Sequence, residues 1–172
     1  MANLSIKEMI NAGVHFGHQS KYWNPKMRPY IYTTYKKLHI INLEESLTHF
    51  NAAISFVEKL TKDNAKILFV GTKRAARELI VKHAVEAKMP YVSNRWLGGM
   101  LTNFDTIKKS IAKLDTLKVS LNLATLNGLT KKESLNIKKH IAKLEKNLSG
   151  IKNLDKCPDA LFVIDTRYEK IA

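Results

Sequence analysis

The sequence contains a single cysteine and only short apolar runs, and both shortages limit what the chain can be. With Cys157 alone, no disulfide can form within the chain and no cysteine-rich metal site can be built. The longest apolar runs, such as "ILFV", are only a few residues long, far below the ~20 residues that a membrane-spanning helix needs. The first ten residues, "MANLSIKEMI", lack the features of a signal peptide. These shortages favour a reducing, cytosol-like compartment.

The chain also lacks the motifs of common nucleotide-binding and hydrolytic enzymes. It contains neither the phosphate loop G-x-x-x-x-G-K-[ST] nor the dinucleotide fingerprint G-x-G-x-x-G, and no serine lies in a G-x-S-x-G context. His15 and His18 could bring two imidazoles together, but no nearby Cys, Asp or Glu completes a zinc site, which favours packing or hydrogen-bonding roles. Asp165 ends an apolar run, where α/β enzymes often place catalytic acids, yet the sequence pairs it with no partner.

Acidic side chains are few relative to basic ones. There are 29 Lys and Arg against 15 Asp and Glu, which gives a formal net charge of +14. A surplus this large repels itself unless a polyanion neutralises it. Nucleic acid is therefore the first candidate partner, and an anionic membrane surface is the second. Most of the surplus lies in residues 1–40 and 105–156, whose net charges are +5 and +7.

Apolar strands alternate with helical patterns, which predicts an α/β fold with a mostly parallel sheet. The runs "KILFVG" and "DALFVID" are continuous, as in strands buried on both faces, and "LHIIN" and "MPYVS" are shorter. In a flavodoxin-like order, "ILFV" is central, with "YVS" on one side and "LFVI" on the other. One helix is predicted to begin at the capping box of Ser5 and another at Asn42. A third is predicted over residues 72–87.

Residues 104–151 interrupt this rhythm and predict an antiparallel helical hairpin. Two apolar stripes follow helical spacing, and Lys118 occupies the one interrupted position. The stripes comprise Phe104, Ile107, Ile111, Leu114 and Leu121, then Ile137, Ile141, Leu144, Leu148 and Ile151. A capping box beginning at Thr130 opens the second arm. The predicted organisation is an α/β domain of residues 1–103 plus 152–172, from which the hairpin of residues 104–151 protrudes.

Residues 13–35 form a basic segment predicted to be extended. Pro25 and Pro29 are incompatible with a regular helix and favour extended backbone at Asn24 and Arg28. Cations alternate here with aromatic rings: Lys21, Lys26 and Arg28 with Tyr22, Trp23, Tyr30 and Tyr32. Such interleaving suits RNA, since cations neutralise phosphate and rings stack on bases. The alternative is a solvated loop whose aromatics pack on the domain.

A second candidate contact is the turn Gly71-Thr72-Lys73-Arg74, between a predicted strand and a predicted helix. Free N–H groups at a helix N-terminus attract phosphate, and adjacent cations strengthen that attraction. The sequence therefore predicts contact with a nucleic-acid phosphate more strongly than a nucleotide site.

The third candidate is the loop "NRWLGGMLTNF" at residues 94–104. Its two glycines allow a sharp turn. Trp96 and Leu97 are expected to anchor that turn to the core. Arg95, Asn94 and Asn103 are then left to contact RNA or to fix the loop.

Two long motifs resemble the signature stretches of the bacterial-type family of small-ribosomal-subunit protein two. They are "GVHFGHQSKYWNPKMRPYIY" and "NRWLGGMLTNF". The stretches "LHIINLEESL", "ILFVGTKRAA", "LTKKESL" and "PDALFVID" resemble the same family in the same order, so the resemblance covers essentially the whole chain.

The resemblance implies a Rossmann-like α/β domain with a protruding coiled-coil hairpin, and no catalysis. It implies a ribosome-bound protein of the cytoplasm, or of an organellar matrix, that contacts small-subunit ribosomal RNA and neighbouring ribosomal proteins. It further implies a role in holding the large, multidomain protein one of that subunit. No membrane, small-molecule substrate, cofactor or metal is expected. The runner-up function is an enzyme acting on a nucleotide or RNA from a doubly wound fold.

By analogy with the family, twelve residues are predicted to bind RNA. They are Lys21, Lys26, Arg28, Lys36, Lys37, Lys73, Arg74, Arg77, Asn94, Arg95, Lys108 and Lys109. The family pattern continues after "FVID" with two more strand–helix units and an often acidic tail, whereas this sequence stops at Ala172. The C-terminal units are therefore expected to be missing from it.

Overall fold

The computed structural model describes residues 4–126 and 131–172, which form two compact units. The first unit is Met1–Asn64 and the second is Ala65–Ala172. These two units divide the chain at a different place from the predicted domains. The predicted division into an α/β domain and a protruding hairpin stays a prediction. The capping box predicted at Thr130 lies outside the described residues.

The first unit pairs two helices with a small antiparallel sheet. Helix α1 (Ile6–Asn11) is followed by strands β1 (Phe16–Gln19), β2 (Ile31–Tyr35) and β3 (Leu38–Ile41), in the order β1-β3-β2, and then by helix α2 (Leu43–Lys62). Both predicted helix starts are confirmed. Ser5 and Glu8 form a reciprocal capping box, whose hydrogen bonds from the Ser5 backbone and side chain lower the pKa of the Glu8 carboxyl. Asn42 caps α2 by accepting from the Glu44 N–H.

Two predictions for this unit are wrong. The strand "LHII" does not join the parallel sheet, because both of its edges pair antiparallel with β1 and β2. Asn24 is extended as predicted, but Arg28 lies in a 3-10 helix, Pro25–Tyr30. Pro25 begins this helix, where its fixed φ is compatible with the first turn and its missing N–H is not needed, and Pro29 lies within it.

The second unit contains the parallel sheet. Strands β4 (Ile67–Val70), β5 (Tyr91–Val92) and β6 (Ala160–Val163) pair in parallel in the order β5-β4-β6. The predicted central position of "ILFV" is therefore confirmed, and so is an α/β fold with a parallel sheet. Helix α3 (Arg77–Glu86) connects β4 to β5. Leu68 and Val70 are fully buried, which explains why β4 reads as a continuous apolar run.

Helices α4 (Phe104–Leu126) and α5 (Lys131–Leu148) contact each other along the predicted apolar stripes. Ion pairs join Lys118 to Glu145 at 2.5 Å and Asp115 to Lys152 at 2.6 Å. Asp115 precedes Lys118 in the first segment, whereas its partner Lys152 follows Glu145 in the second, so the two segments run antiparallel. The interrupted stripe position is thus occupied by a lysine with a defined carboxylate partner.

A 3-10 turn, Ser149–Ile151, connects the end of α5 to the core of the second unit. Ile151 is completely buried in a cluster with Leu68, Val92 and Met100. Gly150 lies so close to β5 that a Cβ there would fall 2.2 Å from the Tyr91 carbonyl oxygen. Glycine is needed here because only the absence of a side chain permits this backbone approach.

Candidate nucleic-acid interface

The first unit presents an N-terminal basic surface, defined by five cations whose side chains are exposed. They are Lys21, Lys26, Arg28, Lys36 and Lys37. Among the described residues, none of the five forms an ion pair with a carboxylate. Their charge is therefore available to an external anion.

The aromatic rings of this surface divide between packing and exposure. Trp23 lies against His39, with ring centroids 5.4 Å apart, and Tyr30 lies against His49 at 5.8 Å. Tyr32 and Tyr22 are 76% and 59% exposed. Trp23 and Tyr30, at 41% and 39% exposure, thus contact their unit only in part, while Tyr22 and Tyr32 are more open to stack on a base or ribose.

The β2–β3 hairpin closes through a two-residue turn, Lys36–Lys37, with Tyr35 and Leu38 as the flanking pair. Both lysines have positive φ, 46° and 65°. The Ser20 N–H donates to the Lys37 carbonyl at 2.9 Å, so this turn is attached to the end of β1.

In the second unit, the turn after β4 is occupied by carboxylates of the same chain. The Thr72 N–H and hydroxyl donate to Glu169 Oε1 at 2.7 and 2.6 Å, and both residues are buried. Lys73 Nζ donates to Asp165 Oδ2 at 2.7 Å. Arg77 Nε donates to the Thr72 carbonyl at 2.7 Å.

The predicted helix over residues 72–87 is too long at its start. Residues 73–76 form a turn in which the Lys73 carbonyl accepts from the N–H groups of Ala76 and Arg77, and α3 begins only at Arg77. Glu169 accepts the Thr72 N–H in this turn, and phosphate contact there stays a prediction. Of the predicted cations in this turn, Arg74 is exposed and forms no ion pair among the described residues.

The loop before α4 is held as the sequence predicted. Trp96 and Leu97 pack against the core cluster, Met100 is buried within it, and Gly99 has a φ of 76° that favours glycine. Asn94 Nδ2 donates to the Lys146 carbonyl at 2.6 Å.

Asn103 also has a structural role in this loop, because its N–H donates to the Gly99 carbonyl and its side chain accepts from the Thr106 hydroxyl. Arg95 is exposed and forms no hydrogen bond or ion pair among the described residues. On the first turns of α4, Lys108 and Lys109 are exposed, with Lys108 Nζ 5.1 Å from the centre of the Phe104 ring. Within the part of the chain that the structure describes, Arg95, Lys108 and Lys109 form no ion pair with a carboxylate.

Nothing in the described residues brings together three or more His, Cys, Asp or Glu in a geometry that could hold a metal ion. His15 instead stacks on Phe16 with ring centroids 4.0 Å apart, and His18 is exposed. Within the same ranges, no helix is long and apolar enough to cross a membrane.

Three features of these surfaces were missed by sequence reasoning. Glu169 and Asp165 are more than 90 residues from the turn that they contact, so no local pattern signals the pairing. Tyr35, which is 62% exposed beside Lys36, has no signal beyond its position next to two lysines. The strained Lys36–Lys37 turn could have been suspected from two apolar runs separated by two residues, but Lys-Lys is not a typical turn dipeptide.

Exposed cations without carboxylate partners, beside open aromatic rings, are typical of the class of nucleic-acid-binding proteins. Comparison with known proteins identifies the family. The family model for ribosomal protein S2 matches residues 9–172. Small ribosomal subunit protein uS2 of Pseudoalteromonas translucida is 51% identical over 172 residues, which are all of this chain and 71% of that protein. The same protein of Coxiella burnetii is 52% identical over 173 aligned residues, but the chain spans only 55% of its length.

The chain therefore belongs to the ribosomal protein S2 family, whose members are structural components of the small ribosomal subunit and not enzymes. The family predicted from the two signature motifs is confirmed. The runner-up, an enzyme acting on a nucleotide or RNA, receives no support from these comparisons.

Proposed function

We propose that this chain is a structural constituent of the small ribosomal subunit that binds ribosomal RNA through two separate sets of exposed cations. One set is the N-terminal basic surface. The other, which we call the second-unit cations, comprises Arg74, Arg95, Lys108 and Lys109. The observation that carries the proposal is that these nine side chains are exposed and form no carboxylate ion pair among the described residues, in a chain of net charge +14.

The remaining predicted contacts, Lys73, Arg77 and Asn94, play a different part. Each donates a hydrogen bond to another part of its own unit at 2.6–2.7 Å. Their side chains therefore position the βα turn and the loop. We expect these three residues to contribute less to RNA binding, because each would have to break its hydrogen bond within the unit to contact RNA.

We also propose that the second unit is Rossmann-like and that α4 and α5 form a protruding coiled coil. The order β5-β4-β6 with α3 between β4 and β5 supports a Rossmann-like arrangement, and the antiparallel contact of α4 with α5 supports a protruding coiled coil. Through the family resemblance we extend the proposal to neighbouring small-subunit proteins, including help in recruiting the large multidomain protein one. The setting is the ribosome-bound state in the cytoplasm, or in an organellar matrix.

The proposal predicts steeply salt-dependent binding to a transcript of small-subunit ribosomal RNA. The logarithm of affinity should fall by about 0.7–0.9 per logarithmic unit of salt for each phosphate contacted, because counterions are released. Filter binding between 50 and 300 mM salt measures this slope. Arg74→Gln and Arg95→Gln should each flatten the slope by about 0.7–0.9, the contribution of one phosphate contact.

Lys82→Gln is the matched control, because Lys82 is exposed on α3 of the same unit and is not a proposed contact. It should leave the slope nearly unchanged. An affinity that does not depend on salt, or an equal effect of all three substitutions, would contradict the proposal.

A further inference from the structure

The Lys36–Lys37 turn combines two properties that are not expected together. A two-residue hairpin turn with positive φ at both positions favours Asn-Gly, because glycine and asparagine adopt left-handed backbone readily. Here both positions are lysines, at φ 46° and 65°. Lysine adopts this left-handed backbone less readily than asparagine or glycine, so the turn is less stable than an Asn-Gly turn would be. Strain of this kind occurs where a side chain is needed for function.

The turn borders a concave groove of about 540 Å³. The groove is lined by Gln19, Ser20, Lys21, Tyr35, Lys36, Lys37 and Leu38. Three of these seven residues are lysines and none is acidic, so the groove concentrates positive charge. Its walls come from the end of β1 and from the β2–β3 turn, which the Ser20–Lys37 backbone hydrogen bond holds together.

Aromatic rings hold two of the lysines in place. Lys36 Nζ lies 5.3 Å from the centre of the Tyr35 ring, and Lys21 Nζ lies 5.7 Å from that of Tyr22. Cation–π contacts at this distance restrict the side chains without neutralising them. Tyr35 is 62% exposed as a residue, so its ring remains accessible to a flat partner.

We infer that this groove is a preorganised clamp for the RNA sugar–phosphate backbone, in which Lys36 and Lys37 each bind a phosphate and Tyr35 stacks on a base or ribose. The inference rests on the proposed function and names the part of the N-terminal basic surface that contributes most to it. An anionic membrane is a poorer fit, because a concave groove between two chain segments admits a single strand more readily than a lipid surface.

The test replaces the turn with its preferred sequence, Lys36→Asn with Lys37→Gly. The variant should melt at the same temperature as the unsubstituted chain or higher, because the substitutions relieve the left-handed strain. It should also bind the small-subunit RNA transcript with a salt slope flatter by about 1.4–1.8, which corresponds to about 25- to 60-fold weaker binding near 0.1 M salt. Tyr35→Leu should weaken binding without changing the slope.

The control is Lys59→Gln with Lys62→Gln, which removes the same charge from exposed positions in the last turn of α2. It should change the slope much less. If the turn variant binds RNA like the unsubstituted chain, the clamp is wrong while the proposed function stands. If the unsubstituted chain itself fails to bind RNA, the proposed function fails as well. Loss of binding to phosphatidylserine vesicles, with RNA binding unchanged, would assign the lysines to a membrane and overturn the inference.

Discussion

Replacing Gly150 with alanine is expected to destabilise the protein by about 3 kcal/mol, the upper end of the usual cost of overpacking. The added Cβ would lie 2.2 Å from the Tyr91 carbonyl oxygen and 2.6 Å from the Tyr91 ring. The carbonyl belongs to the backbone of β5 and cannot rotate away, so β5 and the end of α5 must separate. That separation disturbs the burial of Ile151 and Leu148, which are 0% and 1% exposed.

Thermal and urea unfolding of the full chain measure this loss. Gly98→Ala is the matched control, because a Cβ at Gly98 has no atom within 4 Å and no unusual φ is recorded there. Gly98→Ala should leave stability within about 0.5 kcal/mol. Equal stability of the two variants would mean that the Ser149–Ile151 turn does not lie against β5.

Replacing Glu169 with alanine is expected to lower the free energy of unfolding by about 2–4 kcal/mol, because two buried donors of Thr72 lose their acceptor. The backbone N–H and the hydroxyl of Thr72 both donate to the same carboxylate oxygen, and the two residues are 8% and 7% exposed. An unsatisfied buried donor costs more than an average hydrogen bond contributes.

Glu169→Gln separates the hydrogen bonds from the charge. It keeps a carbonyl oxygen in the same place and should cost only about 1 kcal/mol, since bonds to a charged acceptor are stronger than bonds to a neutral one. If Glu169→Ala unfolds at the same urea concentration as the unsubstituted chain, the carboxylate does not occupy the turn. The position after β4 would then be open to an external phosphate, as the sequence suggested.

Local patterns were sufficient to predict much of the fold. The apolar run of β4 predicted a central strand because both faces of that strand are buried, and Leu68 and Val70 have no exposed surface. The helical stripes predicted which side chains of α4 and α5 are buried, among them Leu114 and Ile141. Capping at Ser5 involves residues only three positions apart, so the sequence alone specifies it.

Long-range pairing could not be predicted in the same way. The run "LHII" is apolar whether its neighbours are parallel or antiparallel, so only the fold reveals that β1 and β2 flank it. The candidate site shows the same limit. Exposure of Arg74 and Arg95 follows from their chemistry, whereas Lys73 and Asn94 are engaged by Asp165 and by the end of α5, which are distant in sequence.

If this chain functions as part of the small ribosomal subunit by binding its RNA, it must travel with small-subunit particles. The most direct measurement is sucrose-gradient sedimentation of the tagged chain, expressed in its source cells, at low and at high salt. We expect the chain to sediment with small-subunit particles at low salt. Substituting the N-terminal basic surface and the second-unit cations together should move it to the top of the gradient. If the unsubstituted chain remains at the top at low salt, or if the substituted chain still sediments with the particles, these cations do not bind the chain to the subunit.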